Sequence, residues 1–398
     1  VSDLFWPGDH RAGPVMSEAA FLGALVAAEN SWLATLVAVG LAPRTATTEL
    51  GTLVGRTDLD AIAAGAERDG NPVTGLVGLL RSRAGVEAAR WLHRGLTSQD
   101  VLDTALMLCL RDALAAVRRD LVSQARCLVE LIETHRAAPM LTHTLTQPAL
   151  PGTAGRKFAI WLTAVLDTGD TLDSVPAPAV SAGGAAGTLA ATTELTGSAQ
   201  TALQLVEQWA AALGLAPAAP WHTTRSPITR AGDALVGCCD AWGHIANDVA
   251  AGVRTGELAE SSGGGSSTMP HKNNPVLTVL LRRAALTAPP LGATLHAASA
   301  ASVDERADGG WHAEWATVAT LARRTVVAGS QATDLLTGLQ VNSPRAAANQ
   351  AAAQGIYDEQ QTMSTLAEKP PAADYLGATE ALIDIAVRRA RQYLKETS

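Results

Sequence analysis

The chain has 398 residues, a formal net charge of -8, and 47% hydrophobic against 17% charged residues. That balance excludes a disordered chain and predicts a large core with more than one structural unit. The acidic balance argues against general affinity for nucleic acid or anionic membrane, and leaves a local cationic pocket open. Aromatics are only 4% and alanine is abundant, which favours helix. Four cysteines, two of them the neighbours Cys238 and Cys239, show neither metal-ligand spacing nor a disulfide framework, so a reducing cytoplasmic setting is expected. No signal peptide is read, and the apolar stretches meet charge before they could span a bilayer.

The first strong helical signal starts near Ser98 and runs towards His135. Val101, Leu102, Ala105, Leu106, Leu110, Leu114, Val117 and Leu121 give it wide apolar coverage. More than thirty residues make a rod on the order of 50 Å, which needs apolar partners over most of its surface. From Pro227 to about Glu257, apolar residues at Ile228, Ala231, Leu235, Cys238, Trp242, Ile245, Val249 and Val253 step by three and four, predicting a seam against other helices. Cys238 and Trp242 are read as core residues of that seam.

A third helix is expected to begin at Asn274–Pro275, with Asn as N-cap and Pro at the first position. Pro289–Pro290 should kink or break it. A fourth is expected from about Ala313 to Leu339, and two more over Pro344–Lys369 and Ala378–Glu396. No alternation of period two, βαβ rhythm or internal repeat is found. The fold class is all-α, with residues 1–94, 95–338 and 339–398 as an N-terminal helical domain, a central helical bundle and a short C-terminal helical domain.

The chemistry concentrates at residues 261–275, SSGGGSSTMPHKNNP. Its Gly/Ser half reads as a tether. The rest supplies an imidazole, an ammonium and two amides ahead of a capped helix, where backbone N–H groups and the helix dipole gather an anion. On these residues alone both a linker and a ligand-closing loop stay open. The run from Gly265 to Pro275 matches G-S-S-x-M-P-x-K-x-N-P and resembles the signature of the fumarase/aspartase superfamily. Gly95–Thr104 (GLTSQDVLDT) is similar to that family's G-x-T-S-x-D-V-x-D-T block, Thr144–Lys157 to its second block, and Gly183–Thr188 to a further stretch.

The resemblance implies a three-domain, central long-helix fold and a homotetramer whose sites draw residues from several subunits. It implies that Ser266 is the catalytic base, that Lys272 and Asn274 bind a substrate carboxylate, and that Thr97 and Ser98 hydrogen-bond another. No metal or organic cofactor is implied, and the partner is a small polycarboxylate.

The second block separates branches. Adenylosuccinate lyases carry T-H-x-x-H there, with the second histidine as general acid; that position is Pro148 here, preceded by Gln147. The 3-carboxy-cis,cis-muconate cycloisomerases have the glutamine and no histidine. Asp304–Trp315 (DERADGGWHAEW) also resembles their E-R-x-x-G-x-W-x-x-E-W, which makes Gln147, Arg306 and His312 candidate substrate contacts and Trp311/Trp315 an i,i+4 packing pair. Two departures stand out: a common arginine is His143 and a frequent tryptophan is Leu145. The reading is lactonisation of 3-carboxy-cis,cis-muconate, with Ser266 delivering the proton in that direction. The alternatives are an adenylosuccinate-lyase-like elimination releasing fumarate, for which His93 is the nearest substitute acid, and a catalytically silent helix-bundle protein.

Overall fold

The computed structural model describes residues 3–261, 263–265, 268–269, 272–306 and 308–397. Helices α1 (Glu18–Ala38), α2 (Leu59–Asp69), α3 (Pro72–Arg83) and α4 (Val86–Trp91) precede the rod α5 (Ser98–His135). A hairpin of β1 (His143–Thr144) and β2 (Gln147–Pro148) leads to α6 (Ala154–Asp173), α7 (Ala190–Thr196), α8 (Ala199–Leu213) and α9 (Ser226–Thr255). Then come β3 (Leu258–Glu260), α10 (Val276–Ala300), α11 (Gly309–Thr337), β4 (Leu339–Val341), α12 (Ser343–Ala352), α13 (Asp358–Leu366) and α14 (Thr379–Glu396). Among the described residues, sheet is confined to the antiparallel pairs β1–β2 and β3–β4. The all-α expectation holds.

Packing gathers the chain into two compact units, each from three segments. Unit 1 comprises Val1–Ala116, Val175–Asp233 and Pro289–Arg324; unit 2 comprises Val117–Ser174, Ala234–Ala288 and Thr325–Ser398. The long helices α5, α9, α10 and α11 each contribute one end to either unit. In α5 the residues Leu102, Ala105, Leu106, Leu110, Ala113, Val117, Leu121, Ala125, Leu128 and Ile132 are all buried, in the steps of three and four that a helix needs to present one face. Each leucine or isoleucine so buried contributes roughly 1.5–3 kcal/mol.

In unit 1, α1 packs on α8 through Trp32 and Trp209, edge to face with ring centroids 5.3 Å apart. By length and composition α1 is long and apolar enough to cross a bilayer, which corrects the expectation that charge interrupts every apolar stretch first. Here Leu25, Trp32, Leu33 and Leu36 are core residues instead. The turn from α2 to α3 is written locally: Gly70 takes φ 71°, Asn71 caps with its side chain the amides of Val73 and Thr74, and Pro72 opens α3. In unit 2, α6 packs against α14. There Gly169 lies so close to Tyr393 that a Cβ would sit 2.8 Å from its hydroxyl.

Three local expectations change. Helix α10 continues through Pro289 and Pro290. The prolines and Leu286 are exposed, so the Leu286 residue, whose carbonyl loses its amide partner to Pro290, lies on the solvent face. The helix expected over 344–369 is interrupted between α12 and α13, at a turn holding Gly355 with φ 72°. Finally, Asn274 does not cap α10, as described below.

Candidate active site

The start of α5, in unit 1, is organised around one buried carboxylate. Asp100 Oδ2 accepts the Thr97 amide at 2.9 Å and the Gly184 amide at 3.0 Å. Its Oδ1 accepts the Gly183 amide at 2.9 Å and His222 Nε2 at 2.6 Å. An Asp reaching back to the amide at the N-cap is half a capping box. The further donors make it the meeting point of three segments. Gly183 has to be glycine here, since a Cβ would lie 2.7 Å from His222 Cε1. His222 is buried, and the carboxylate fixes Nε2 as the nitrogen that donates. Its Nδ1, with Ser181 Oγ and Gln99 Oε1, is buried without a hydrogen-bond partner among the described residues.

One turn further along α5, Asp103 meets Arg225 at 2.7 and 3.0 Å and the Trp311 indole N–H at 2.9 Å. The same guanidinium donates from Nη2 and Nε to Glu314 at 2.7 and 3.0 Å. All three charged side chains are fully buried. Burial works against the Arg225 charge, but Asp103 and Glu314 more than offset it, so its pKa lies above the ordinary value. Burial also pushes the Glu314 carboxyl up, with Arg225 opposing the shift. This triad ties the start of α5 to α11. The Trp311–Trp315 pair packs as expected, with centroids 4.6 Å apart and rings at 87°.

In unit 2, the loop from β3 to α10 is pinned at both ends. Gly264 and Asn274 exchange backbone hydrogen bonds at 2.9 and 2.8 Å. Gly263 approaches Asn273 so closely that a Cβ would fall 1.9 Å from its Oδ1. The cap of α10 comes from Glu260, whose carboxylate accepts the Leu277 amide at 3.1 Å, the Thr278 amide at 2.7 Å and the Thr278 hydroxyl at 2.5 Å. A full negative charge satisfies more free helix N–H groups than an asparagine amide, and suits the positive end of the helix. The N-terminus of α10, expected to gather a substrate anion, is thus filled by the chain itself.

The remaining sequence candidates fall as follows. Thr97 is buried with its amide held by Asp100; Ser98, the first residue of α5, is half-buried. Arg306 is exposed ahead of α11. His312, exposed in the first turn of α11, has Nδ1 2.8 Å from the Asp308 carbonyl and Nε2 2.8 Å from the Gly70 carbonyl, so the ring lies between two backbone acceptors. Lys272 is exposed, its amide donating to the Met269 carbonyl at 3.0 Å, and Asn274 is half-buried. Gln147 is exposed on β2 opposite Thr144. The hairpin turn places Leu145 and Thr146 at φ 46° and 69°, a conformation that Asn-Gly would adopt with less strain. Ser266 lies outside the described residues. Thr97 and Ser98 share one turn, and Lys272 and Asn274 share one loop. Within unit 1 no hydrogen bond among the described residues joins Thr97 or Ser98 to Arg306 or His312.

Sequence reasoning missed His222 and Arg225. The signal for Arg225 was present as two acids three residues apart, Asp100 and Asp103, on one apolar helix, since buried carboxylates demand donors. Nothing local to Trp221–Arg225 says which donors those are.

A family model described as Lyase matches residues 51–288. The chain is 42% identical over 357 residues to a nitrosuccinate lyase of Streptomyces davaonensis, covering 85% of this chain and 75% of that one. It is 38% identical over 355 residues to a 3-carboxy-cis,cis-muconate cycloisomerase of Bradyrhizobium diazoefficiens, covering 85% and 76%. Among solved structures, the 3-carboxy-cis,cis-muconate lactonizing enzyme from Pseudomonas putida superposes with a TM-score of 0.84 at 27% identity, covering 96% of this chain and 97% of that one. With the signature loop, the Gly95–Thr104 turn and the all-helical architecture already in place, these likenesses settle the family: the chain is a lyase of the fumarase/aspartase superfamily.

Proposed function

We propose that this enzyme eliminates a weakly basic anion from a 2-substituted succinate, with nitrite leaving 2-nitrosuccinate as the favoured case. The observation that carries the reading is the β1–β2 hairpin, which offers Gln147 and Pro148 where a leaving-group acid would stand. A leaving group that departs as a weakly basic anion, already stable unprotonated at neutral pH, needs no such proton. The hairpin also carries His143 in place of a fixed arginine charge, and the clamps at Thr97–Ser98 and at Lys272–Asn274 suit two carboxylates. Likeness to a nitrosuccinate lyase supports the same choice.

In this reading Ser266 takes the proton from C3 of the substrate. The electron pair passes into the adjacent carboxylate as an aci-carboxylate, and Lys272 and Asn274 stabilise its second negative charge. Removing one such donor costs roughly 100- to 1,000-fold in rate. The pair then returns to form the C2–C3 double bond as the C2–N bond breaks, and nitrite leaves with the bonding electrons. The products are fumarate, nitrite and the proton held by Ser266. Loop amides and the Lys272 charge are the groups that would hold Ser266 as an alkoxide. The working form is read as a cytoplasmic homotetramer with sites shared between subunits.

A second reading is lactonisation of 3-carboxy-cis,cis-muconate, where the leaving or attacking group is the substrate's own carboxylate and again needs no acid. The stretch Asp304–Trp315 and the superposition on the lactonizing enzyme favour it. Both are tested by incubating the enzyme, and Ser266→Ala beside it, with each substrate. Equimolar fumarate and nitrite from 2-nitrosuccinate, at least about 100-fold slower in the variant, supports the first reading. Loss of the diene absorbance of 3-carboxy-cis,cis-muconate without nitrite release from the other substrate replaces it by the second.

A further inference from the structure

At Met107, Leu110 and Leu114 the rod α5 faces two loops, 175–179 and 216–218, and the first turns of α9 across a cavity of about 300 Å³. All of these segments belong to unit 1. The three α5 side chains step by three and four, so they form one face of the helix, and all are buried. The walls opposite them are rigid. Pro176, Pro178, Pro217 and Pro227 line the cavity, and proline fixes its own φ. The Ala216 amide donates to the Pro178 carbonyl and the Val180 amide to the Ala216 carbonyl, each at 3.0 Å, which ties the two loops together. Walls that cannot fold inward leave their lining short of dispersion contacts, and an apolar guest restores them.

A single charged residue, Arg230, lines this otherwise apolar space, and no carboxylate does. Arg230 is exposed, on the solvent side of the cavity, and its guanidinium has no hydrogen bond or ion pair among the described residues. The acid three residues further along α9, Asp233, is engaged by His296 Nε2 at 2.9 Å. The charge at the opening is therefore positive and uncommitted, while the interior offers only apolar contact. Pockets with an apolar lining and one placed polar group orient an amphipathic ligand. Size narrows the guest further. A dry cavity of about 150 Å³ takes one benzene ring, so this one has room for roughly two fused rings.

We propose that this cavity is an effector site for a small ring-bearing monocarboxylate, with the rings against Met107, Leu110 and Leu114 and the carboxylate on Arg230. Its walls lead directly into the framework around Asp100 and Asp103. From Pro178 the chain runs to Ser181, whose amide donates to the Thr104 hydroxyl at 3.0 Å and whose carbonyl accepts from it at 3.3 Å. Gly183 and Gly184 follow, and their amides hold Asp100. On the other wall, Ser226 comes directly after Arg225, the cation between Asp103 and Glu314. A guest that braces the 175–179 loop and the start of α9 stiffens both attachments at once. The inference goes beyond the reaction assigned above and does not depend on it.

Binding to the intact protein tests it without turnover, with 2-naphthoate as probe and 2-naphthamide as its uncharged counterpart. Equilibrium dialysis should show saturable binding of the naphthoate with a dissociation constant below about 1 mM. The acid should bind at least about threefold tighter than the amide, and added salt should shrink that difference, because the ion pair sits at an open mouth. Arg230→Gln should erase the preference and leave the amide's affinity as it was. Ala218→Phe, which sends a ring into the cavity from a loop, should weaken both ligands by at least about tenfold with helix content by circular dichroism unchanged. Should that variant fail to fold, Ala177→Trp at the exposed rim of the other loop blocks the same space. In the parent, saturating naphthoate should slow deuterium exchange over Ser181–Gly184 by at least about threefold, and in the blocked variant it should not. No saturable binding, equal affinity for acid and amide, or binding untouched by the blocking variant overturns the site. Binding that leaves the exchange unchanged overturns its role as an effector site.

Discussion

Replacing Arg225 by methionine probes the buried triad most directly. Methionine has a similar reach and no charge, so the change isolates the ionic part. Asp103 would keep the Trp311 indole at 2.9 Å and Gln99 Nε2 at 3.3 Å. Glu314 would keep no hydrogen bond among the described residues, at 0% exposure. Removing one partner of a buried ion pair costs about 3–5 kcal/mol, against a total stability of roughly 5–15 kcal/mol. With a urea slope of about 1–3 kcal/mol per molar, the unfolding midpoint should fall by about 1–5 M. The pH dependence has a definite sign. Burial already raises the Glu314 carboxyl, and Arg225 opposes the shift. Without Arg225 the folded-state pKa moves further above the unfolded one. Between the two values the folded state holds more protons than the unfolded, so stability falls as pH rises through that window. The Arg225→Met penalty should be larger at pH 8 than at pH 5, and Glu314→Met added to the variant should restore part of the loss. An unchanged midpoint, or a penalty that grows towards acid, would refute the account.

Burial pushes the Cys109 and Cys239 thiols up to about 12, and Cys238 also well upward. At pH 8 their thiolate fraction is negligible, so iodoacetamide should leave these three unlabelled in the folded protein and label all of them in urea, as peptide mass spectrometry will show. Gly169→Ala would press a methyl group onto Tyr393 and should cost about 1–3 kcal/mol, seen as a lower melting temperature and faster proteolysis of the α14 segment. Lys272→Met should leave the fold intact by circular dichroism and slow turnover by roughly 100- to 1,000-fold, the worth of one donor to the charge that develops in the transition state.

The long helices were legible because their signal is local and repeated. The spacing between Ser98 and His135 identifies α5 with its observed ends, and the Ile228–Val253 seam lies within α9. The two compact units were not legible. They are assembled from segments far apart in sequence, and a helix running through both gives no change of period where one ends. Pro289–Pro290 misled for a related reason. The rule that proline breaks a helix assumes that the orphaned carbonyls go unsatisfied, and exposure removes that assumption. The tail helix was drawn too long because alanine-rich sequence around 346–353 reads as helix whether or not a glycine ends it.

The candidate site residues were named from their types, and the structure adds which backbone donors the chain itself uses. Two places offered backbone donors to an anion: the turn at Thr97 with Gly183–Gly184, and the N-terminus of α10. Both are taken by the chain's own carboxylates, Asp100 and Glu260. Internal carboxylates therefore set the shape of the framework, and under the proposed function the work of recognising substrate falls to side chains such as Ser98 and Lys272. Side chains can be exchanged one at a time without rebuilding a turn. A scaffold of that kind can keep one proton-abstraction chemistry while the group expelled changes from a carboxylate to nitrite. Such a division is compatible with likeness to both a cycloisomerase and a nitrosuccinate lyase in one chain.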